Sequence, residues 1–453
     1  MADKWGPRLP PILRFHGSMR RGLVGTFFLR LATTLLSFLP SIALARLLGA
    51  EQYGIYAYIM ALIALLSIPS QLGLPQLCLR QVAAYQVRSS WSKLRGILSW
   101  ANKLVAYLSC FLIAVSGMAA WTLANRYDTG TLITFGLGLM LIPLRALSAL
   151  RSATLRGLGY VIVGQFPEAL LRPAVFLLLL LVFFAVLENQ LHTSSLAMGL
   201  HLAATALSFA VGGWLLWKRL PEAVMQHAPE YESGTWLRSG TTFFFAAGLR
   251  SVSDQVPILL LGPLVGVDAV AIFLVATRGA NLVSLILTVV NMVVGPTFAK
   301  LYAAGNLRKL QHVVTLSARL ILGLSAPLAL ILIVFNRPIL ELLFGPEFVA
   351  GASALSILCV GELVNAATGS VGLLLNMTGH EKDSLRANAI AAVVNIVLCL
   401  SLIPQWGIEG AAVAFASSRV TANLLLSVWA FSRLQIHATA LGRIFPLKDS
   451  GSI

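Results

Sequence analysis

The chain has 453 residues, of which 58% are hydrophobic and only 11% charged, with a formal net charge of +16. Soluble domains carry roughly 25% charged residues, so a water-soluble fold is excluded. With no soluble domain to bear a basic face, the positive excess is not the footprint of a nucleic-acid binder.

A bilayer core takes about 20 apolar residues as a helix. Apolar stretches of that size run over 23–47, 54–78, 97–124, 132–150, 164–187 and 196–217, then over 240–264, 268–297, 314–335, 352–377, 387–404 and 410–432. The expected fold is an all-α polytopic membrane protein of about 12 transmembrane helices. Its layout is a basic N-terminal segment over 1–22, a six-helix bundle over 23–217, a linker over 218–239, a second six-helix bundle over 240–432 and a tail over 433–453. The first stretch follows Arg20 and Arg21 and contains Ala43-Leu44-Ala45, as a signal peptide would. It is too long for a signal core and includes Arg30, so it is read as a retained span.

Loop cations sort to one side. Arg20, Arg21, Arg88, Lys93, Arg156, Lys218, Arg238, Lys300, Lys309, Lys382, Arg433, Arg443 and Lys448 fall together, against Arg126 and Arg337 opposite and Arg46 at a boundary. Because Lys and Arg are retained in the cytoplasm, both termini are expected there. A faint repeat at an offset of 217 residues sets Pro40, Gly49, Ile55 and Tyr56 against Pro257, Gly266, Ile272 and Phe273, and a second match sets Leu155 and Gly159 against Leu375 and Gly379. With six helices per half, the halves are parallel repeats, which suits a transporter with its site between them.

Charges inside the spans cost about 2.5–3.5 kcal/mol each on insertion scales and generally face a partner or a water-filled cavity. Arg30, Lys103, Arg145, Arg172, Arg250, Arg278, Arg319 and Arg419 stand against only Glu168, Asp254 and Glu362. Helical spacing gathers Arg30 with Thr34, Ser37 and Ser41; Arg278 with Asn281, Ser284, Thr288 and Asn291; Glu362 with Asn365; and Arg419 with Asn423 and Ser427. These stripes line a hydrated lumen or act as polar seams between helices. Glu168 with Arg172, and Asp254 with Arg250, also have the spacing of intrahelical ion pairs. Lys103, Arg172 and Arg319, close to basic loops, read as snorkelling side chains.

A lumen lined by guanidinium groups suits phosphate, which pairs bidentately with the planar fork. Arg30, Arg250 and Arg278, supported by Arg145 and Arg419, are the expected anion-binding residues. Glu362, with no basic residue one turn away, is the leading site for coupling to a proton or sodium ion, followed by Asp254 and Glu168. Cys78, Cys110, Cys359 and Cys399 are scattered singly, the histidines make no metal-binding pair, and no phosphate loop or dinucleotide fingerprint occurs, so no cofactor, metal or catalytic role is expected.

Ala45-Arg46-Leu47-Leu48-Gly49 followed by Glu51-Gln52-Tyr53-Gly54-Ile55-Tyr56 resembles the polysaccharide transporter family, which includes O-antigen flippases. Gly73-Leu74-Pro75 to Arg80, Leu155-Arg156-Gly157-Leu158-Gly159, the run from Leu261-Gly262 to Tyr302, and Leu343-Phe344-Gly345 to Gly379-His380 are similar to it as well. The resemblance implies two pseudo-symmetric six-helix bundles in a V, moving an undecaprenyl-pyrophosphate-linked oligosaccharide to the periplasmic leaflet of the bacterial inner membrane by alternating access. Polysaccharide polymerase and glycosyltransferases are the partners it implies. A multidrug exporter of the same superfamily, which needs an acid-rich cavity, and a lipid II flippase, which resembles it but carries two further helices, are the alternatives.

Overall fold

The computed structural model describes residues 17–186 and 193–442, with side chains from residue 32 onward except at 184, 186, 242 and 246. The predicted N-terminal segment before residue 17, the side chain of Arg30, and Arg443 and Lys448 lie outside the described residues. Among the described residues there are helices and turns but no strand.

Among the described residues, ten helical segments are long and apolar enough to cross a membrane. Two of them are double. Gly17–Gln71 breaks at Gly49 (φ 71°, ψ 179°) and Glu381–Leu434 breaks at Gly407 (φ 53°, ψ −121°), so twelve spans result. Spans 1 and 2 are the limbs of Gly17–Gln71, followed by a short helix, Leu74–Val87. Span 3 is Trp91–Thr122 and span 4 is Thr129–Gly157. Span 5 runs from Val161–Phe166 through a π-helical turn, Pro167–Leu171, into Arg172–Val186, and span 6 is Ser194–Arg219. Spans 7, 8 and 9 are Ser233–Leu264, Val267–Ala303 and Leu307–Val334. A short helix, Asn336–Phe344, leads to span 10, which is Ala352–Thr368 and Val371–Met377 with a break at Gly369 (φ 60°). Spans 11 and 12 are the limbs of Glu381–Leu434.

The faint repeat has a backbone basis. Gly49 and Gly266, aligned by sequence, both take positive φ (71° and 143°) at equivalent turns, between spans 1 and 2 and between spans 7 and 8. Gly159 and Gly379 do the same (89° and 83°) after spans 4 and 10. Side chains rarely adopt that conformation, so glycine persists there while the surrounding residues diverge.

The two halves share one core at one end and have separate cores at the other. Leu44, Tyr53 and Ile63 from the first half pack in a single cluster with Val270, Phe273, Phe344 and Phe348 from the second. At the opposite end, the one carrying the basic loops, Leu74, Leu94 and Leu150 form one cluster and Phe298, Leu310 and Leu375 another. In lipid such clusters hold by close packing rather than by expulsion of water. The result is a V of two lobes, sealed at the end of the 1–2, 7–8 and 9–10 connections.

The linker does not hang free. Arg95 Nη1 donates to the carbonyls of Met225 (3.0 Å) and His227 (2.7 Å), Glu230 N–H donates to Ser92 O (3.0 Å), and Lys93 Nζ meets Glu232 at 2.6 Å. Trp236, wholly buried, donates to Tyr85 Oη at 3.0 Å. The first turn of span 7 is therefore seated on the N-terminal lobe.

Candidate functional site: a cationic cavity between the lobes

A cavity of about 470 Å³ lies between the lobes, walled by spans 1, 2, 4, 5, 6, 7, 8 and 12. Among the described residues, its charged lining is Arg145 and Arg172 on the N-terminal wall and Arg278 and Arg419 on the C-terminal wall, against a single carboxylate, Asp254. Ser37, Ser41, Tyr53, Tyr56, His201, Gln255, Thr277 and Asn281 supply the uncharged polar surface.

Two of the four guanidinium groups carry an orphan donor. Arg145 Nη1 and Arg278 Nε are buried and have no hydrogen-bond partner among the described residues. Leaving a buried donor unpaired costs about 1–3 kcal/mol, more when it is charged. Orphans of this kind at two facing walls mark a place where an acceptor is expected.

The other two are held from behind. Arg172 Nε lies 3.6 Å from Glu168 Oε2 in an i,i+4 ion pair, just after the π-helical turn of span 5. Glu168 does not line the cavity, and its Oε1 is itself buried without a partner. Arg419 pairs with Glu362 of span 10 and stacks over Phe415, with the guanidinium carbon 4.9 Å from the ring centre. Glu362, only 3% exposed, also accepts from Asn365 Nδ2 (3.0 Å), whose Oδ1 accepts from Asn423 Nδ2 (3.1 Å). The stripes on spans 10 and 12 thus form a polar seam inside the C-terminal lobe, whereas Ser37, Ser41, Arg278 and Asn281 face the cavity.

Among the sequence-derived candidates, Arg145, Arg278, Arg419 and Asp254 come together on the walls, while Arg250 is exposed off the cavity, near Asp254. Arg30 has no described side chain. Glu362 has no cation within its own helix, but Arg419 supplies one from 57 positions away. Arg172, read from sequence as snorkelling, lies on the cavity wall instead. Arg319, read the same way, donates to Ala440 O (3.0 Å) and Gly442 O (3.4 Å) of the C-terminal segment. Lys103 is exposed on span 3, as snorkelling requires.

Tyr56 and His201 are wall residues that sequence patterns did not single out. The Tyr56 hydroxyl meets His201 Nδ1 at 2.5 Å, and Phe176 packs on the imidazole with ring centres 4.7 Å apart. Tyr56 falls in the repeat, opposite Phe273, and in the stretch that carries the family resemblance, which explains its ring but not its hydroxyl.

The sealed end is tied by polar contacts between the halves. Arg46 Nε donates to Leu343 O (3.0 Å) and its Nη2 to Leu342 O, at the C-terminus of Asn336–Phe344. In return Glu347 Oε2 accepts from Ala50 N–H at 2.7 Å, where span 2 begins. Cations at helix C-termini and anions at N-termini are both favoured by the helix dipole.

Among the described residues, twelve spans in two lobes around a polar cavity, closed at one end, give the fold of a multi-pass membrane transporter. Residues 20–302 match the family described as polysaccharide biosynthesis protein, and residues 244–400 match the MatE family. The chain belongs to the polysaccharide biosynthesis protein family. It is 22% identical over 418 residues to a candidate O-antigen transporter of Shigella flexneri, covering 87% of this chain and 94% of that one. Archaeal relatives match over shorter stretches, at most 36% of their own length. In fold, the chain is similar to an inward-facing multidrug resistance MATE transporter of the MOP superfamily (TM-score 0.70, 13% identity, 90% of this chain and 98% of that one). It is also similar to the lipid II flippase MurJ in an inward closed conformation (TM-score 0.67, 15% identity, 90% and 86%).

Proposed function

We propose that this protein is a flippase that carries an undecaprenyl-pyrophosphate-linked oligosaccharide from the cytoplasmic to the periplasmic leaflet of a bacterial inner membrane. The observation that carries this is the pair of orphan guanidinium donors, Arg145 Nη1 and Arg278 Nε, on opposite walls of one cavity. A pyrophosphate offers two adjacent anionic groups, one for each lobe, and a charge-assisted bond to each relieves both orphans. The lipid tail stays in the bilayer while the headgroup and its sugars occupy the cavity. The relatives named for O-antigen transport and lipid II flipping support the same substrate class.

Orientation follows from the loop cations: the end where the lobes separate is the basic end and faces the cytoplasm. The sealed end then faces the periplasm, and the conformation is the one that loads from inside. Coupling to a proton or sodium gradient is assigned to Asp254, because of the three candidate carboxylates it alone lines the cavity. A drug-cation exporter would need the opposite balance of wall charge.

The test is a chromosomal deletion complemented in trans. Wild type restores surface polysaccharide and clears lipid-linked oligosaccharide from the cytoplasmic leaflet. Arg278→Ala at equal membrane abundance fails to do so, and Arg278→Lys recovers part. Normal surface glycan in the deletion strain overturns the proposal.

A further inference from the structure

His201 sits on the N-terminal wall with its two ring nitrogens in different situations. Nδ1 is engaged by the Tyr56 hydroxyl, and Nε2 has no hydrogen-bond partner among the described residues. The residue is 9% exposed, and it lines the cavity. With Nδ1 engaged and the residue on the cavity wall, the cavity is the space left for a partner of Nε2.

The direction of the Tyr56 bond fixes what Nε2 can do. The Tyr56 hydroxyl has no other hydrogen-bond partner among the described residues. Were Nδ1 the donor, the phenolic proton would be left with no acceptor, at the cost of an unpaired polar group. The arrangement that satisfies both has Tyr56 donating to Nδ1, and a ring that accepts at Nδ1 carries its proton on Nε2. Phe176 packed on the ring holds its plane. Arg145 and Arg172 line the same cavity as His201, and Arg145 Nη1 is the orphan donor on that wall.

We infer that His201 is a substrate-binding residue, a third N-terminal-wall donor that meets a phosphate oxygen together with Arg145, and that Tyr56 is the positioning residue that fixes its tautomer. This rests on the reading of the cavity as a pyrophosphate site. A neutral donor beside two guanidinium groups adds direction without further charge, so it discriminates by the placement of phosphate oxygens rather than by charge alone. The pyrophosphate form of the lipid carrier, with one more phosphate than the monophosphate form, is the ligand such a set of donors favours.

Glutamine and asparagine separate the two ring nitrogens, because a Gln amide nitrogen falls near Nε2 and an Asn side chain near Nδ1. The experiment measures binding of undecaprenyl pyrophosphate and of undecaprenyl monophosphate to the purified full-length chain in nanodiscs, with thermal melting as a check on folding. His201→Gln is expected to retain pyrophosphate affinity within about threefold, whereas His201→Asn loses about ten- to a hundredfold, the range for one charge-assisted hydrogen bond. Tyr56→Phe falls between them, and monophosphate binding changes least in all three. Should His201→Asn bind pyrophosphate as wild type does, or His201→Gln lose as much as His201→Asn while melting normally, the assignment of Nε2 is wrong. Loss of binding in Arg145→Ala with none in His201→Asn removes His201 alone. Failure of wild type to bind the pyrophosphate removes the reading of the cavity itself.

Discussion

Arg419 illustrates how one side chain is divided between stability and function. It reaches the cavity and is also, among the described residues, the only cation paired with Glu362, which is buried and hydrogen-bonded to Asn365. Removing one member of a buried ion pair strands the other, at about 3–5 kcal/mol when both are fully buried. Arg419 is about a third exposed, with 32% of its side chain accessible, so the cost here is smaller, about 1–3 kcal/mol. Glu362→Leu is therefore expected to lower the thermal midpoint of the detergent-purified protein. The double variant Glu362→Leu/Arg419→Met recovers most of that loss, because no charge is left stranded, yet it does not restore surface polysaccharide. Recovery of transport along with stability would show that Arg419 serves only to neutralise Glu362.

At the scale of elements, the segments outside the spans are the ones to probe. Glu232, at the start of span 7, is held below its ordinary carboxyl pKa of 4.5 chiefly by the hydrogen bond from Lys93. A lowered pKa stabilises the docked linker above the ordinary value, and that stabilisation is lost as pH falls through the docked one. Hydrogen exchange over 220–232, corrected for intrinsic rates, should be slow in wild type and fast in Glu232→Gln at pH 7. The two should converge as pH falls to about 4 and below.

The C-terminal segment makes a similar case. After Leu434 the chain turns back through Gln435 (φ 56°), and Ile436, Ala438 and Ala440 alternate inward as buried residues. Gln311 exchanges two bonds of 2.8 Å with His437, and Ala440 N–H donates to Ala367 O (2.8 Å) beside the break in span 10. Arg319 satisfies the carbonyls of Ala440 and Gly442, and removing it leaves both without that donor. Arg319→Ala should therefore destabilise the protein by about 1–3 kcal/mol, read as a lower midpoint in a detergent thermal assay. An unchanged midpoint would mean that water satisfies those carbonyls.

These two segments also mark where the sequence stops being legible. Apolar length located the twelve spans among the described residues with ends up to seven residues off, and residue matches that included Gly49/Gly266 and Gly159/Gly379 showed the repeat, whose glycines share positive φ. Charges inside apolar runs picked out Arg145, Asp254, Arg278 and Arg419, because nothing but a partner or water justifies them there. Contacts between distant positions left no such trace. Arg319 with Ala440, Arg419 with Glu362, and Tyr56 with His201 are 121, 57 and 145 positions apart, and no helical period links them. Proximity to a basic loop suggested snorkelling for Arg172 and Arg319 for the same reason: it measures depth and is blind to neighbours.

For the molecule as a whole, alternating access requires the sealed end to open, and the contacts there set the cost. Arg46 on the carbonyls of Leu342 and Leu343, and Glu347 on the Ala50 N–H, are charge-assisted bonds at exposed positions joining the two halves. Each is worth about 1.5–3 kcal/mol at most, and every 1.4 kcal/mol is a tenfold change in a two-state equilibrium. Beneath them Gly54 lies against Val267, where an added Cβ would stand 1.8 Å from the Val267 carbonyl oxygen. Glu347→Ala should shift the population toward a conformation open at this end, by about tenfold and at most about a hundredfold. Gly54→Ala should act as a wedge in the same direction, since a methyl group cannot share that space. Spin labels at Glu51 and Glu341, both exposed on opposite halves, would report the change as a longer distance component, once the exposed Cys110 is replaced by serine. If both variants retain the wild-type distance distribution while remaining folded, the seal resides in the shared apolar core, and these contacts merely decorate it.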